Sequence, residues 1–92
     1  MESIRRIVLW RMFQDEIDER EFHVATEQDK SGQVRYSVLL KYVNRSIGEG
    51  EGTTIIARNT SLHDAVNIAN DGATTLQQYQ WAIMDIYHTE RA

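Results

Sequence analysis

The sequence predicts an α+β fold in the order α-β-β-β-α-β: an N-terminal helix, a three-stranded antiparallel meander, a short helix and a C-terminal strand. Three observations carry this expectation. Apolar residues first recur at spacings of three to five, then alternate with polar ones from Glu21 to Thr60, and a capped helix start follows at Ser61. The chain has 92 residues, enough for one core and too few for two, because small folds bury only about 60–65% of the surface their unfolded chains expose. A single domain over residues 1–92 follows.

The first helix is expected over residues 3–19, with Ser3 as its cap. Ile4, Val8 and Met12, with Leu9, Phe13 and Ile17, fall along one broad side. Glu16, Asp18 and Glu19 lie at its C-terminal end, where the macrodipole disfavours carboxylates, so solvent must carry them. The period then changes to two. Glu21 to Thr26 reads as a first strand, Gln28-Asp29-Lys30-Ser31-Gly32 as a turn, and Gln33 to Asn44 as a long second strand. A glycine-rich loop, Gly48 to Gly52, leads to a third strand, Thr53 to Arg58, rich in β-branched residues.

Ser61 then caps a short helix with Asp64 at its third position, a relative of the capping box. Leu62, Ala65, Val66 and Ala69 form its buried stripe, and Asn70-Asp71-Gly72 ends it. The last segment fits two patterns. As a helix, Thr75 to Gln78 makes a capping box and Leu76, Tyr79, Ile83 and Tyr87 align. As a strand, Tyr79, Trp81, Ile83 and Tyr87 alternate with Gln80, Ala82, Met84 and Ile86. The strand is preferred, because aromatic and β-branched residues dominate this stretch and another strand would cover a sheet edge.

Composition removes several classes of function. Hydrophobic residues make up 41% and charged residues 26%, the range of folded rather than disordered chains. The absence of cysteine excludes disulfides, thiolate zinc sites and thiol nucleophiles, and suits a reducing cytoplasm. The four-residue apolar run Ile7 to Trp10 is too short for a signal peptide and is followed by acidic residues, and no segment approaches the ~18 apolar residues of a membrane span. A cytoplasmic protein without membrane association is expected. With no secretion, the Asn44-Arg45-Ser46 and Asn59-Thr60-Ser61 triplets carry no glycosylation signal.

The remaining chemical motifs fail on residue type. Gly48 to Gly52 lacks the lysine and hydroxyl residue of a phosphate loop and contains Glu49 and Glu51. The stretch from Glu27 has a glycine at the sixth position of a calcium loop, but Val38 stands where a bidentate glutamate is required. His23, His63 and His88 include no pair at metal-ligand spacing, and no serine sits in a nucleophile elbow. No cofactor, metal or catalytic residue is assigned. The chain is read as a binding protein.

Net charge is −4, unevenly spread. Residues 1–46 carry eight basic and eight acidic side chains, whereas residues 47–92 carry two basic and six acidic ones. The clearest candidate surface lies on the second strand. Val34, Tyr36, Val38, Leu40 and Tyr42 form one face, read as core, and Arg35, Ser37, Leu39, Lys41, Val43 and Arg45 form the other. Arg58 on the third strand extends this second face. Apolar residues among cations suggest a contact surface, so Arg35, Lys41, Arg45, Arg58, Leu39 and Val43 are the candidate partner-binding residues. The alternative is an acidic face made by Glu49, Glu51, Asp71 and Asp85.

Two partner classes fit. Read with a C-terminal helix, the order α-β-β-β-α resembles a double-stranded-RNA-binding domain, and Tyr79, Trp81 or Tyr87 would supply base stacking. That family places lysines at the start of its last helix; here Ser61-Leu62-His63-Asp64-Ala65 holds none, and a net charge of −4 opposes phosphate binding. The other partner is a protein. In size, acidity and layout the chain is similar to small phage-encoded inhibitors of bacterial defence, of the anti-CRISPR and anti-restriction type. That likeness carries no motif and transfers no residue. It implies a non-enzymatic inhibitor that binds and blocks a host nucleic-acid-handling complex through protein–protein contact, with a nucleic-acid-binding module or a small structural homo-oligomer as the alternatives.

Overall fold

The computed structural model describes residues 3–13, 16–44 and 51–88. It is mostly β. Strands β1 (Ser3–Phe13), β2 (Glu16–Gln28), β3 (Val34–Asn44) and β4 (Glu51–Thr60) come first, followed by one helix, α1 (Leu62–Gln78), and strand β5 (Ala82–His88). The five strands form a single sheet in the order β4-β3-β2-β1-β5, with every neighbouring pair antiparallel. Thus α1 carries the chain across the sheet from one edge to the other.

The expected α-β-β-β-α-β order is therefore wrong at its start: residues 3–13 form β1 and residues 16–19 begin β2, in place of the expected helix over 3–19. The reason lies in parity. Ile4, Val8 and Met12 are four apart, and an even spacing satisfies a strand as well as a helix. Strand β1 is also internal, hydrogen-bonded to β2 on one side and β5 on the other. Ile7, Val8 and Leu9 are all buried, so the strand reads as a continuous apolar run without alternation.

Elsewhere the elements lie close to expectation. Strand β3 starts one residue after the expected Gln33, and β2 and β4 extend the expected first and third strands in both directions. Glu51 and Gly52, expected in a loop, belong to β4, while Gly48 lies outside the described residues. Ser61 caps α1 as expected, its hydroxyl accepting from the Asp64 amide at 3.1 Å.

The helix does not end at Gly72 but continues to Gln78. Packing explains the glycine there: a Cβ on Gly72 would lie 2.6 Å from the Phe22 ring. Gly72 is a close-approach residue and not a terminator. Ala65 and Ala69 are buried as expected, joined by Ala73, whereas Leu62 is exposed and Val66 only partly buried; the small side chains of the stripe let α1 lie low on the sheet. The core is that stripe against Ile7, Leu9, Phe22, Val24 and Val38, with Trp81 closing one end. The face of β3 expected to be core is the helix-covered face, where Tyr36, Val38 and Leu40 pack.

Candidate functional site

Register decides which residues share the face that α1 leaves uncovered. Side chains alternate along a strand, and directly paired residues point to the same side. Because Ile7, Phe22 and Leu40 are paired in a row on the helix side, the rows between them face away. One such row is Val8, Glu21, Lys41 and Thr53; the next is Arg6, His23, Leu39 and Ile55.

This open face holds the candidate residues Arg35, Leu39 and Lys41. Val43 falls on it by register, opposite Glu19 and Glu51. Arg45 and Glu49 lie outside the described residues. The cations stand opposite carboxylates in the β2–β3 register: Lys41 faces Glu21, and Arg35 faces Glu27. His23 contacts Glu21 at 2.9 Å on the same face. A mixed surface results, with carboxylates on β2 beside cations on β3 and apolar Leu39 and Ile55 next to them. Ile55 is 50% exposed. Ala25 and Ser37 lie opposite each other and are buried, and the Ser37 hydroxyl has no hydrogen-bond partner among the described residues.

The acidic alternative does not assemble. Asp71 is exposed on α1, while Asp85 sits on β5 opposite Val8, on the other side of the sheet. Asp85 instead accepts the Ile86 amide at 2.8 Å. Trp81, a candidate for base stacking, is only 5% exposed. Its ring is contacted by two guanidinium groups, Arg11 at 4.5 Å and Arg20 at 5.1 Å from its centroid, and Arg20 also lies 5.3 Å from the Tyr42 ring. These cation–π contacts close the end of the core. With the N-terminal helix gone and a strand at the C-terminal side of α1, the resemblance to a double-stranded-RNA-binding domain loses its topological basis.

Arg35 and Arg58, remote in sequence, do come together, at the end of the sheet where the β2–β3 turn meets the last residues of β4. Arg35 donates from Nε to the Asn59 side-chain oxygen at 3.0 Å and from a terminal nitrogen to the Asn59 carbonyl at 2.7 Å. Asn59 has a left-handed backbone, φ 57°, a conformation asparagine tolerates better than most residues. Its amide donates to Glu27 at 3.2 Å. The other Glu27 oxygen stands 3.8 Å from Arg58, whose side chain is 67% exposed. Between these groups and the turn lies a cavity of about 330 Å³.

The turn itself is built on Asp29. One carboxylate oxygen accepts the Ser31 amide at 2.9 Å, the Ser31 hydroxyl, and the Gln33 amide at 3.0 Å, while Gly32 takes the positive φ of 86° that the reversal requires. The Ser31 hydroxyl, against some opposing burial, holds the Asp29 carboxyl below its ordinary range, with the two backbone amides and the charge of Arg35 adding to the effect. Sequence reading missed Glu27, Lys30 and Asn59 as members of this cluster. The one local signal was Asn59, a residue type enriched at left-handed positions.

Among the described residues no group of three or more His, Asp or Glu side chains is placed to hold a metal ion, and no helix is long and apolar enough to cross a membrane. Comparisons with family models, curated proteins and solved structures find no match.

Proposed function

We propose that this chain is a non-enzymatic protein-binding module, an inhibitor or adaptor that engages a larger complex through the sheet face opposite α1. The supporting observation is that face itself: no described element covers it, and it sets Leu39 and the half-exposed Ile55 among the cross-strand pairs Glu21–Lys41 and Glu27–Arg35. Antiparallel sheets tolerate one wet face, but such faces are ordinarily polar. An apolar pair flanked by opposed charges has the two ingredients of a protein interface, apolar area that supplies affinity on desolvation and charges that supply register. Carboxylates on β2 beside cations on β3 suit a protein partner better than a phosphate backbone, which requires net positive charge. The narrower form of the reading, a phage-type blocker of a host nucleic-acid-handling complex, draws on size, acidity and layout.

Affinity capture from native-host lysate, with and without nuclease, tests the proposal. A protein retained after nuclease by the wild-type chain and lost with Lys41→Glu/Ile55→Glu is the expected result. Retention of the same protein by this double variant, with its fold intact, contradicts the surface assignment. Recovery that depends on nucleic acid contradicts the partner class.

A further inference from the structure

The cavity at the hairpin end has a charge pattern that selects a ligand. Most of its lining groups are committed to one another: Arg35 to Asn59, Glu27 to the Asn59 amide, and Asp29 to donors within its own turn. Two cations are less engaged. Lys30 has no hydrogen-bond or ion-pair partner among the described residues, and Arg58 makes a long ion pair with Glu27, at 3.8 Å and beyond hydrogen-bond reach, from a side chain that is 67% exposed. The lining of Lys30, Arg35 and Arg58 against Glu27 and Asp29 leaves one positive charge in a chain of net −4.

That single charge fits a monoanion. A planar guanidinium fork beside a mobile ammonium pairs well with a carboxylate, whereas a phosphate dianion or a nucleic-acid strand would meet Glu27 and Asp29 with too little compensation. The cavity also adjoins the open face, since Arg35 and Glu27 belong to both. We infer that this cavity receives a carboxylate side chain of an acidic segment on the protein partner, held between Lys30 and Arg58; the inference rests on the protein-binding reading above.

Titration of the isotope-labelled full chain with acetyl-triglutamate amide at low ionic strength, followed by amide NMR, tests it. Parallel titrations use inorganic phosphate and a short single-stranded oligonucleotide. Saturable shifts centred on Lys30, Arg58 and Asn59 are expected with the peptide, weakened about tenfold or more in Lys30→Gln/Arg58→Gln. Both substituted side chains are exposed, so the remaining spectrum reports an unchanged fold. Absence of saturable shifts at these amides overturns the assignment, as does tighter binding of phosphate or the oligonucleotide there. In the capture experiment, undiminished retention by Lys30→Gln/Arg58→Gln overturns the cavity assignment alone and leaves the open-face reading standing. A wild-type chain that retains no protein after nuclease overturns the protein-binding reading and the cavity's partner with it.

Discussion

Gly72 lies inside α1, where glycine costs about 0.8–1.0 kcal/mol relative to alanine. On propensity alone, Gly72→Ala stabilises the protein by that amount. The packing says otherwise. The new methyl would sit 2.6 Å from two atoms of the Phe22 ring, and Phe22 is 4% exposed, enclosed by the core it helps to form. Relieving the overlap means turning a packed ring or lifting the helix from the sheet, and overpacking of this kind typically costs about 1–3 kcal/mol. The balance is a net loss of about 1 kcal/mol, or a fall in Tm of roughly 4–8 °C for a domain of this size. Urea denaturation of Gly72→Ala, Phe22→Leu and the double variant measures it. The smaller ring makes room for the methyl, so the cycle should show a coupling above about 0.5 kcal/mol in the favourable direction. Stabilisation by Gly72→Ala with additive double-variant behaviour would refute the close approach of α1 to β2.

Two further outcomes follow from single polar groups. Ser37→Ala removes a buried hydroxyl that has no hydrogen-bond partner among the described residues, and should leave stability unchanged or raise it by about 1 kcal/mol in thermal denaturation; a loss larger than that contradicts the account of Ser37. Asp29 has a folded pKa depressed chiefly by the Ser31 hydroxyl, so its contribution to stability is present above the unfolded carboxylate value of about 4 and is lost as pH falls through the lower folded value. Carboxyl NMR should show Asp29 titrating below the ordinary range, and Ser31→Ala should move it upward; a value insensitive to Ser31 would remove the assigned cause.

The sequence revealed those parts of the fold in which one residue pattern has one structural meaning. Strand β3 alternates from Val34 to Tyr42 except at Leu39, so its extent and the sidedness of its residues were legible to within a residue, although Val34 and Tyr42, expected in the core, are exposed. The Ser61 cap was legible because a hydroxyl three residues before a backbone amide has a defined geometric role. Strand β1 was not, since even spacings and a four-residue apolar run serve a helix and an internal strand equally well. The length of α1 was hidden because Gly72 signals a helix end by local preference and a close approach only once Phe22 is known to lie beneath it.

Of the candidate surface, the alternation of Arg35, Leu39 and Lys41 was legible. Their pairing with Glu27 and Glu21 was not, because it depends on register between β2 and β3. The meeting of Arg35 with Arg58 and Asn59 depends further on two irregularities in the β3–β4 ladder, between Tyr36 and Val38 and between Val38 and Leu39. Such bulges shift every residue beyond them and leave little trace in composition.

The central claim is that the working surface is the sheet face opposite α1. Methyl NMR of the chain bound to its captured partner tests it most directly, because Leu39 and Ile55 face one side of the sheet while Ile68 and Leu76 pack with the core on the other. Perturbation of the Leu39 and Ile55 methyls with Ile68 and Leu76 unmoved is the predicted result. Perturbation centred on Ile68 and Leu76, with Leu39 and Ile55 unchanged, would contradict it.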